Sequence, residues 1–182
     1  MDIPQQVQSR ILVIGDSCAD VYEFGSCARL SPEAPVPVLK ISHTRKHAGM
    51  AANVSQNIEA LSNTVFLFTN EELIIKKRIV DSKFNHHLLR IDVEPEVNPL
   101  DWKNYAGPPM ESFDGFVISD YDKGFLPENT LAALITHLKS FKKPIFVDTK
   151  KTNLSYFDGC FIKINQAEFE KAQNIPESST LI

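Results

Sequence analysis

A chain of 182 residues with 43% apolar and 23% charged residues and a formal net charge of -4 can bury one substantial core and reads as a single domain, 1–182. It has no basic cluster to attract nucleic acid or an anionic membrane, and no apolar run long enough to span a bilayer, so neither partner is expected. The opening stretch MDIPQQVQSR lacks the charged-then-apolar layout of a signal peptide, and Cys18, Cys27 and Cys160 are odd in number and widely spaced. Both features point to reduced thiols in a cytoplasmic protein rather than to a disulfide-framed, exported one.

In chain order, ILVIGD (11–16) predicts a first strand. SPEAPVPVLK (31–40) follows, with Pro35 and Pro37 interleaved with Val36 and Val38. Proline cannot donate to a sheet ladder, so this segment predicts an edge strand, and the prolines discourage unwanted pairing. AANVSQNIEAL predicts a helix with Val54, Ile58 and Leu61 on one face, and TVFLFT (64–69) a strand. From Lys76 to Glu96 the chain reads as two strands around a turn at 82–85. EPEVNP and AGPPMES are loops by composition. GFVISDY (115–121), PIFVDT (144–149) and CFIKIN (160–165) predict three more strands. Between the first two, PENTLAALITHLKSF predicts a helix with Leu131, Leu134, Ile135 and Leu138 on one face and Pro127 in its first turn.

Strand and helix in alternation imply parallel crossovers and an α/β layered fold. The first four strand runs are nearly continuously apolar, as in a sheet covered on both faces. Five strands leave the last, CFIKIN, with an open edge for a partner strand or a dimer. The proline segment and the 76–96 hairpin stand outside this alternation and predict pieces of a second, smaller sheet.

Ligands of open α/β sheets bind beyond the carboxyl ends of the strands. Those ends carry Gly15-Asp16, Ser119-Asp120-Tyr121 with Lys123, Asp148-Thr149-Lys150, and Asn165 with Glu168 one turn on. Carboxylates accept hydrogen bonds from hydroxyls and lysines hold phosphate, so such a rim suits a polyhydroxylated or phosphorylated small ligand; meeting solvent is the plainer explanation for any one of these residues. In HAGMAANVSQN, Gly49 precedes small residues that open a helix, which suits either a ligand approached by backbone N–H groups and Asn53, or a close helix–sheet contact. The chain has no P-loop and no dinucleotide fingerprint. His86 and His87 are adjacent without further ligands at zinc spacing. Reading Asp16 and Asp20 as paired glycosidase carboxylates would need a separation that sequence does not supply.

Taken together, VIGDSCADVYEFG, SPEAPVPVLK, GMAANVSQNIEAL, LLRIDVE, ISDYDKGFL, PIFVDTK and INQAEFE resemble the ribokinase-like, PfkB-type carbohydrate kinases. The likeness is strongest to the bacterial D-glycero-β-D-manno-heptose 7-phosphate kinases, which serve the ADP-heptose route to lipopolysaccharide. It is collinear over nearly the whole chain. The resemblance implies a three-layer α/β/α domain, shortened at its C-terminal nucleotide-binding part, with a small β-sheet lid built from segments about 22–44 and 76–95. The proline-bearing edge would belong to that lid, which in these kinases covers the substrate and often pairs with a second subunit.

By the same resemblance, Asp16, Asn53 and the Gly49 loop contact sugar hydroxyls, with Asp20 assisting. Arg90 and Asp92 lie on a lid strand, Asp120 and Lys123 lie near the sugar-phosphate end, and Asn165 with Glu168 matches the N-x-x-E motif that organises magnesium and the transferred phosphate. ATP and Mg2+ are the implied cofactors and a sugar phosphate the implied ligand. Two departures qualify the activity, and a third change is milder. The family's G-A-G-D segment, which holds the catalytic base and anion hole, is missing: none of the seven glycines adjoins another or stands one residue from it. A helix and strands that relatives carry between Asn70 and Lys76 are also missing, and Met50 replaces a frequent glycine. Nucleotide binding and phosphoryl transfer by the chain alone are therefore expected to be weak or lost. Its partner would be a second copy through the lid or a chain supplying the missing half. The alternative is a non-catalytic sugar-phosphate binder or lid-mediated assembly protein.

Overall fold

A computed structural model describes residues 8–61 and 63–182; most of the stretch read for a leader, residues 1–7, lies outside them. The chain divides into two compact units. One comprises the segment through Ser17 with Met50–Glu72 and Glu96–Ile182, the other Cys18–Gly49 and Leu73–Pro95.

The first unit holds strands β1 (Arg10–Gly15), β4 (Thr64–Phe68), β7 (Gly115–Asp120), β8 (Ile145–Thr149), β9 (Phe161–Lys163) and β10 (Thr180–Leu181) in a sheet of order β10-β9-β8-β7-β1-β4. Every pairing is parallel. Helices α1 (Ala51–Glu59), α2 (Glu128–Lys139) and α3 (Gln166–Phe169) lie in the connections. From β7 through β8 and β9 to β10 each crossover steps the same way along the sheet, and from β1 through α1 to β4 the step is opposite. Right-handed crossovers therefore place α1 on one face and α2 with its successors on the other, giving three layers. β1 and β7 lie side by side where the direction reverses, so their carboxyl ends flank the crevice in which such sheets bind ligands.

The core sits chiefly between the sheet and α2. Leu131, Leu134, Ile135 and Leu138 are all buried, as the helical spacing predicts, against Leu12, Ile14, Phe116, Ile118, Ile145 and Val147. Pro127 is the N-cap rather than a residue of the first turn, and its carbonyl accepts the Leu131 amide. On α1 the buried residues are Ala51 and Ser55; Leu61 lies past the helix end and is 63% exposed. The expectation of strands covered on both faces holds for β1 and β7 but not for β4, where Leu67 is 38% exposed, or for β8, whose pattern alternates and leaves Phe146 42% exposed. β9 is not the edge: β10 pairs with it, the Thr180 and Ile182 amides donating to the Cys160 and Ile162 carbonyls at 3.0 and 2.8 Å. Two residues of strand are too short to show a periodicity.

The second unit is a four-stranded sheet of order β3-β2-β5-β6, formed by β2 (Ser17–Leu30), β3 (Pro37–Met50), β5 (Ile74–Asp81) and β6 (His86–Val93). β3 is an edge strand, and the proline segment enters it at Pro37; Pro35 lies in the preceding bend. β5 and β6 pair antiparallel around residues 82–85, where the Asp81 carboxylate accepts the Lys83 and Phe84 amides at 2.7 and 3.3 Å and Asn85 takes φ 51°. Residues 69–73 join β4 to β5 without a helix or strand between them.

Gly15 is required by β1–β7 packing. A Cβ there would stand far inside van der Waals contact of the Ser119 carbonyl, a backbone atom that cannot swing away. Gly15→Ala is expected to cost about 3 kcal/mol or more by overpacking, read as a lowered midpoint in urea denaturation.

Candidate functional site

At the switch point, Asp16 follows β1 and is fully buried. Its Oδ2 accepts the Tyr121 amide at 2.8 Å and its Oδ1 the Phe125 amide at 3.3 Å, while its own carbonyl accepts the Ala51 amide at 2.9 Å. One residue thus ties the end of β1 to the loop after β7 and to the start of α1. Each carboxylate oxygen keeps a second lone pair, but the residue presents no surface to solvent in this structure.

Asp120, at the end of β7, is 1% exposed. It accepts the Thr149 hydroxyl at 2.8 Å and the Asp122 amide at 3.0 Å, and the Lys151 ammonium lies 3.4 Å away. Burial pushes its carboxyl above the ordinary range, with Lys151 and the Thr149 hydrogen bond opposing. Lys151 is itself nearly buried and also pairs with Asp122 at 2.6 Å. Burial works to lower the ammonium, but the Asp122 hydrogen bond and the two carboxylates hold it above its usual value. Lys123, in the loop after β7, is half-buried.

Asn165 and Glu168 come together as a capping box on α3. The Asn165 side chain accepts the Glu168 amide at 3.0 Å, and the Glu168 carboxylate accepts the Asn165 amide at 2.9 Å. Glu168 also forms an ion pair with Lys150. Burial would raise the Glu168 carboxyl; the Lys150 and Asn165 hydrogen bonds outweigh it and hold the group below its ordinary value. Among the described residues no group of three or more His, Cys, Asp or Glu side chains could hold a metal ion. A lysine-paired glutamate with Lys163 and Lys171 nearby in sequence does not make a magnesium site by itself; magnesium typically takes one or two free carboxylates and completes its shell with water and substrate phosphate. The cavity here, about 310 Å³ and lined by Lys150, Lys151, Thr152, Asn165, Glu168 and Lys171, has the chemistry of an anion site instead.

In the second unit, Asp20 on β2 forms an ion pair with Arg78 on β5, whose guanidinium also lies over the Tyr22 ring at 5.0 Å. Gly49 makes room for this: a Cβ there would collide with the Asp20 carboxylate and the Cys18 sulfur. Arg90 holds Asp92 through two parallel hydrogen bonds of 2.7 and 2.8 Å. Register sets Tyr22, Arg78 and Arg90 in one cross-strand row and Asp20, Lys76 and Asp92 in the next, on the same face. Asn53 is exposed in the first turn of α1. Met50, the α1 N-cap, takes φ 56° and ψ -131°, a region open essentially to glycine.

Sequence reasoning missed Arg78, Asp122 and Lys151. Arg78 was legible only through strand register, since parity puts it opposite Tyr22. Asp122 and Lys151 are two residues past the strand ends, and nothing local distinguishes them from solvent-facing loop residues.

No protein-family model matches the chain. The bifunctional protein HldE of Haemophilus influenzae (strain PittEE) is 30% identical over 193 aligned positions, covering 90% of this chain and 40% of that protein. The alignment is longer than the chain, so the relative carries residues within the matched stretch that this chain lacks. Phosphofructokinase-2 from Escherichia coli in complex with potassium superposes with a TM-score of 0.60 at 14% identity, over 90% of this chain and 62% of that one. Arabidopsis thaliana ribokinase complexed with ribose and ATP gives 0.55 at 13% identity, over 91% and 62%. The chain is similar in sequence to HldE over most of its own length, and its fold is that of the ribokinase-like carbohydrate kinases it superposes on. It spans about two fifths of the length of the curated relatives it matches. The fold matches the expectation from sequence: a parallel α/β/α sheet with a small second sheet.

Two outcomes follow from this geometry. Met50→Gly is expected to be more stable than Met50→Ala by about 1 kcal/mol, reversing the usual order, because both lose the side chain and only glycine relieves the backbone; paired thermal melts decide it. Glu168 has a depressed carboxyl, so its pairing contributes stability above the ordinary carboxylate pKa and loses it as pH falls through the folded-state value. Glu168→Gln is therefore expected to be less stable than wild type at pH 7 by no more than about 1 kcal/mol, and the gap should close in acid.

Proposed function

We propose that this chain is the sugar-binding portion of a heptose-phosphate-kinase-like protein, taking a sugar phosphate such as heptose 7-phosphate. The observation that carries the reading is the anchored Asp16 at the switch point of a ribokinase-like sheet, in a chain aligned over 90% of its length with HldE. Held by two backbone amides, the Asp16 carboxylate is fixed in orientation at the crevice, and a sugar hydroxyl would reach it only once the loop after β7 gives way. Asn53, the Gly49 loop, Asp20 and Arg90 are the proposed further sugar contacts. Asp120 and Lys123 would serve the phosphate end, and the lysine-lined cavity beside Glu168 a transferred phosphate.

The reaction of this class forms a bond from a sugar hydroxyl oxygen to the γ-phosphorus of ATP, breaks the bond to ADP, and passes the hydroxyl proton to a base. In our reading that base is not among these residues. Asp120 is occupied by Thr149 and Lys151, and no Gly-x-Gly segment is available for an anion hole. Turnover then needs a second polypeptide or a longer chain. The same observation favours the alternative of a non-catalytic sugar-phosphate binder. The exposed Leu89, Ile91 and Val93, on one side of β6, support a further proposal of a homodimer through the four-stranded sheet.

Calorimetric titration with heptose 7-phosphate, with ATP-magnesium in parallel, tests this reading. The expected result is sugar-phosphate binding without turnover, weakened about tenfold or more by Asn53→Ala, equivalent to about 1.4 kcal/mol. Binding of neither ligand would refute it, and turnover by the chain alone would refute the assignment of the base elsewhere.

A further inference from the structure

Asp16 is the single residue between β1 and β2 and belongs to neither strand. The ladder that pairs β1 with β4 ends at Ile14 and Phe68, so it does not reach the residues on either side of Asp16. Past its end, the side chains of the next two residues replace it. The Thr69 hydroxyl donates to the Gly15 carbonyl at 2.7 Å. The Asn70 side chain accepts the Ser17 amide at 2.7 Å and donates to the Ser17 carbonyl at 3.3 Å. Both chain neighbours of Asp16 are thereby held by main-chain atoms, and all these groups lie within the sheet unit.

The residue types suit this task. A carboxamide presents a donor and an acceptor side by side, as a peptide group does, so Asn70 can stand in for one more rung of strand pairing. Asn70 is itself anchored. Its Nδ2 also donates to the Glu72 carbonyl at 2.6 Å, and the Glu72 carboxylate accepts the main-chain and side-chain N–H groups of Asn98 at 3.1 and 2.5 Å. On the other wall of the crevice the hold is of a different kind. The loop after β7 grips Asp16 by its carboxylate, and that loop carries two residues of positive φ, Asp122 at 55° and Gly124 at 106°.

We infer that Thr69 and Asn70 are positioning residues for Asp16. They fix its main chain at the end of β1, so the carboxylate keeps its place when the loop after β7 releases it to a sugar hydroxyl. The inference rests on the reading of Asp16 as a sugar contact. Neither side chain has to touch the ligand to act in this way.

The test combines amide hydrogen exchange of the whole chain with calorimetric titration of heptose 7-phosphate. Three variants are compared: Thr69→Val, which removes the hydroxyl at constant shape, Thr69→Ser, which restores it, and Asn70→Asp, which keeps the acceptor and loses both donors. In the unaltered chain the Tyr121 amide is expected to exchange faster than the Ser17 amide. Thr69→Val and Asn70→Asp are expected to speed exchange about tenfold at Ala51 and Tyr121, whose amides bond Asp16, with the amides of β8 unchanged. The same two variants should weaken sugar-phosphate binding about tenfold, while Thr69→Ser matches the unaltered chain in both measurements. Acceleration spread evenly over the sheet would show a merely structural role and overturn the inference. So would Thr69→Ser behaving like Thr69→Val, or a Ser17 amide that exchanges faster than that of Tyr121. Exchange needs no ligand, which separates the two readings. An unaltered chain that binds no sugar phosphate removes the proposed function, and sugar binding indifferent to Thr69→Val and Asn70→Asp removes the positioning role alone.

Discussion

The burial of Asp16 organises the sheet unit. A carboxylate taken wholly out of water is costly unless its charge is met by hydrogen bonds, and here two amides of the loop after β7 meet it, while its carbonyl receives the first amide of α1. Three segments distant in sequence are thus held at one point, the point where the sheet's winding reverses. Gly15, immediately before it, lets β1 and β7 approach closely enough for those bonds to form. Where strands diverge to open a crevice, this buried carboxylate keeps the crevice walls in register.

Elsewhere, in each unit taken by itself, acid is met by base. Asp120 with Thr149 and Lys151, Glu168 with Lys150 and the Asn165 amide, Asp20 with Arg78, and Arg90 with Asp92 are each charge-paired within their own unit. Such pairs hold side chains in place more than they stabilise the fold, because desolvation offsets most of the Coulomb gain. They do not suit proton abstraction, which requires a free base near its operating pH.

A kinase-like sheet that is open along β8 to β10 also explains a contrast within the core. Where α2 covers the sheet, every inward position is buried; on the opposite side burial fails at Phe146 and Phe161. The apolar run PIFVDT was legible as a strand, but a run cannot tell which of its faces will find cover. That depends on how the connecting helices are distributed over the two faces once the sheet is assembled.

Much of this molecule was readable from its residues. The strand runs, the leucine face of α2, the turn at 82–85, the proline-marked edge and the family likeness all rest on local periodicity, turn chemistry or collinear motifs, which a linear chain carries in full. The carboxyl-end positions of Asp16, Asp120 and Glu168 followed from the same local logic. Tertiary structure alone decided that Arg78 rather than a nearer residue meets Asp20 and that β10 caps the edge beside β9. The physical reason is common to both. Each depends on which groups are brought within hydrogen-bonding distance once strands take their register, and register is a property of the packed sheet rather than of any single stretch of sequence.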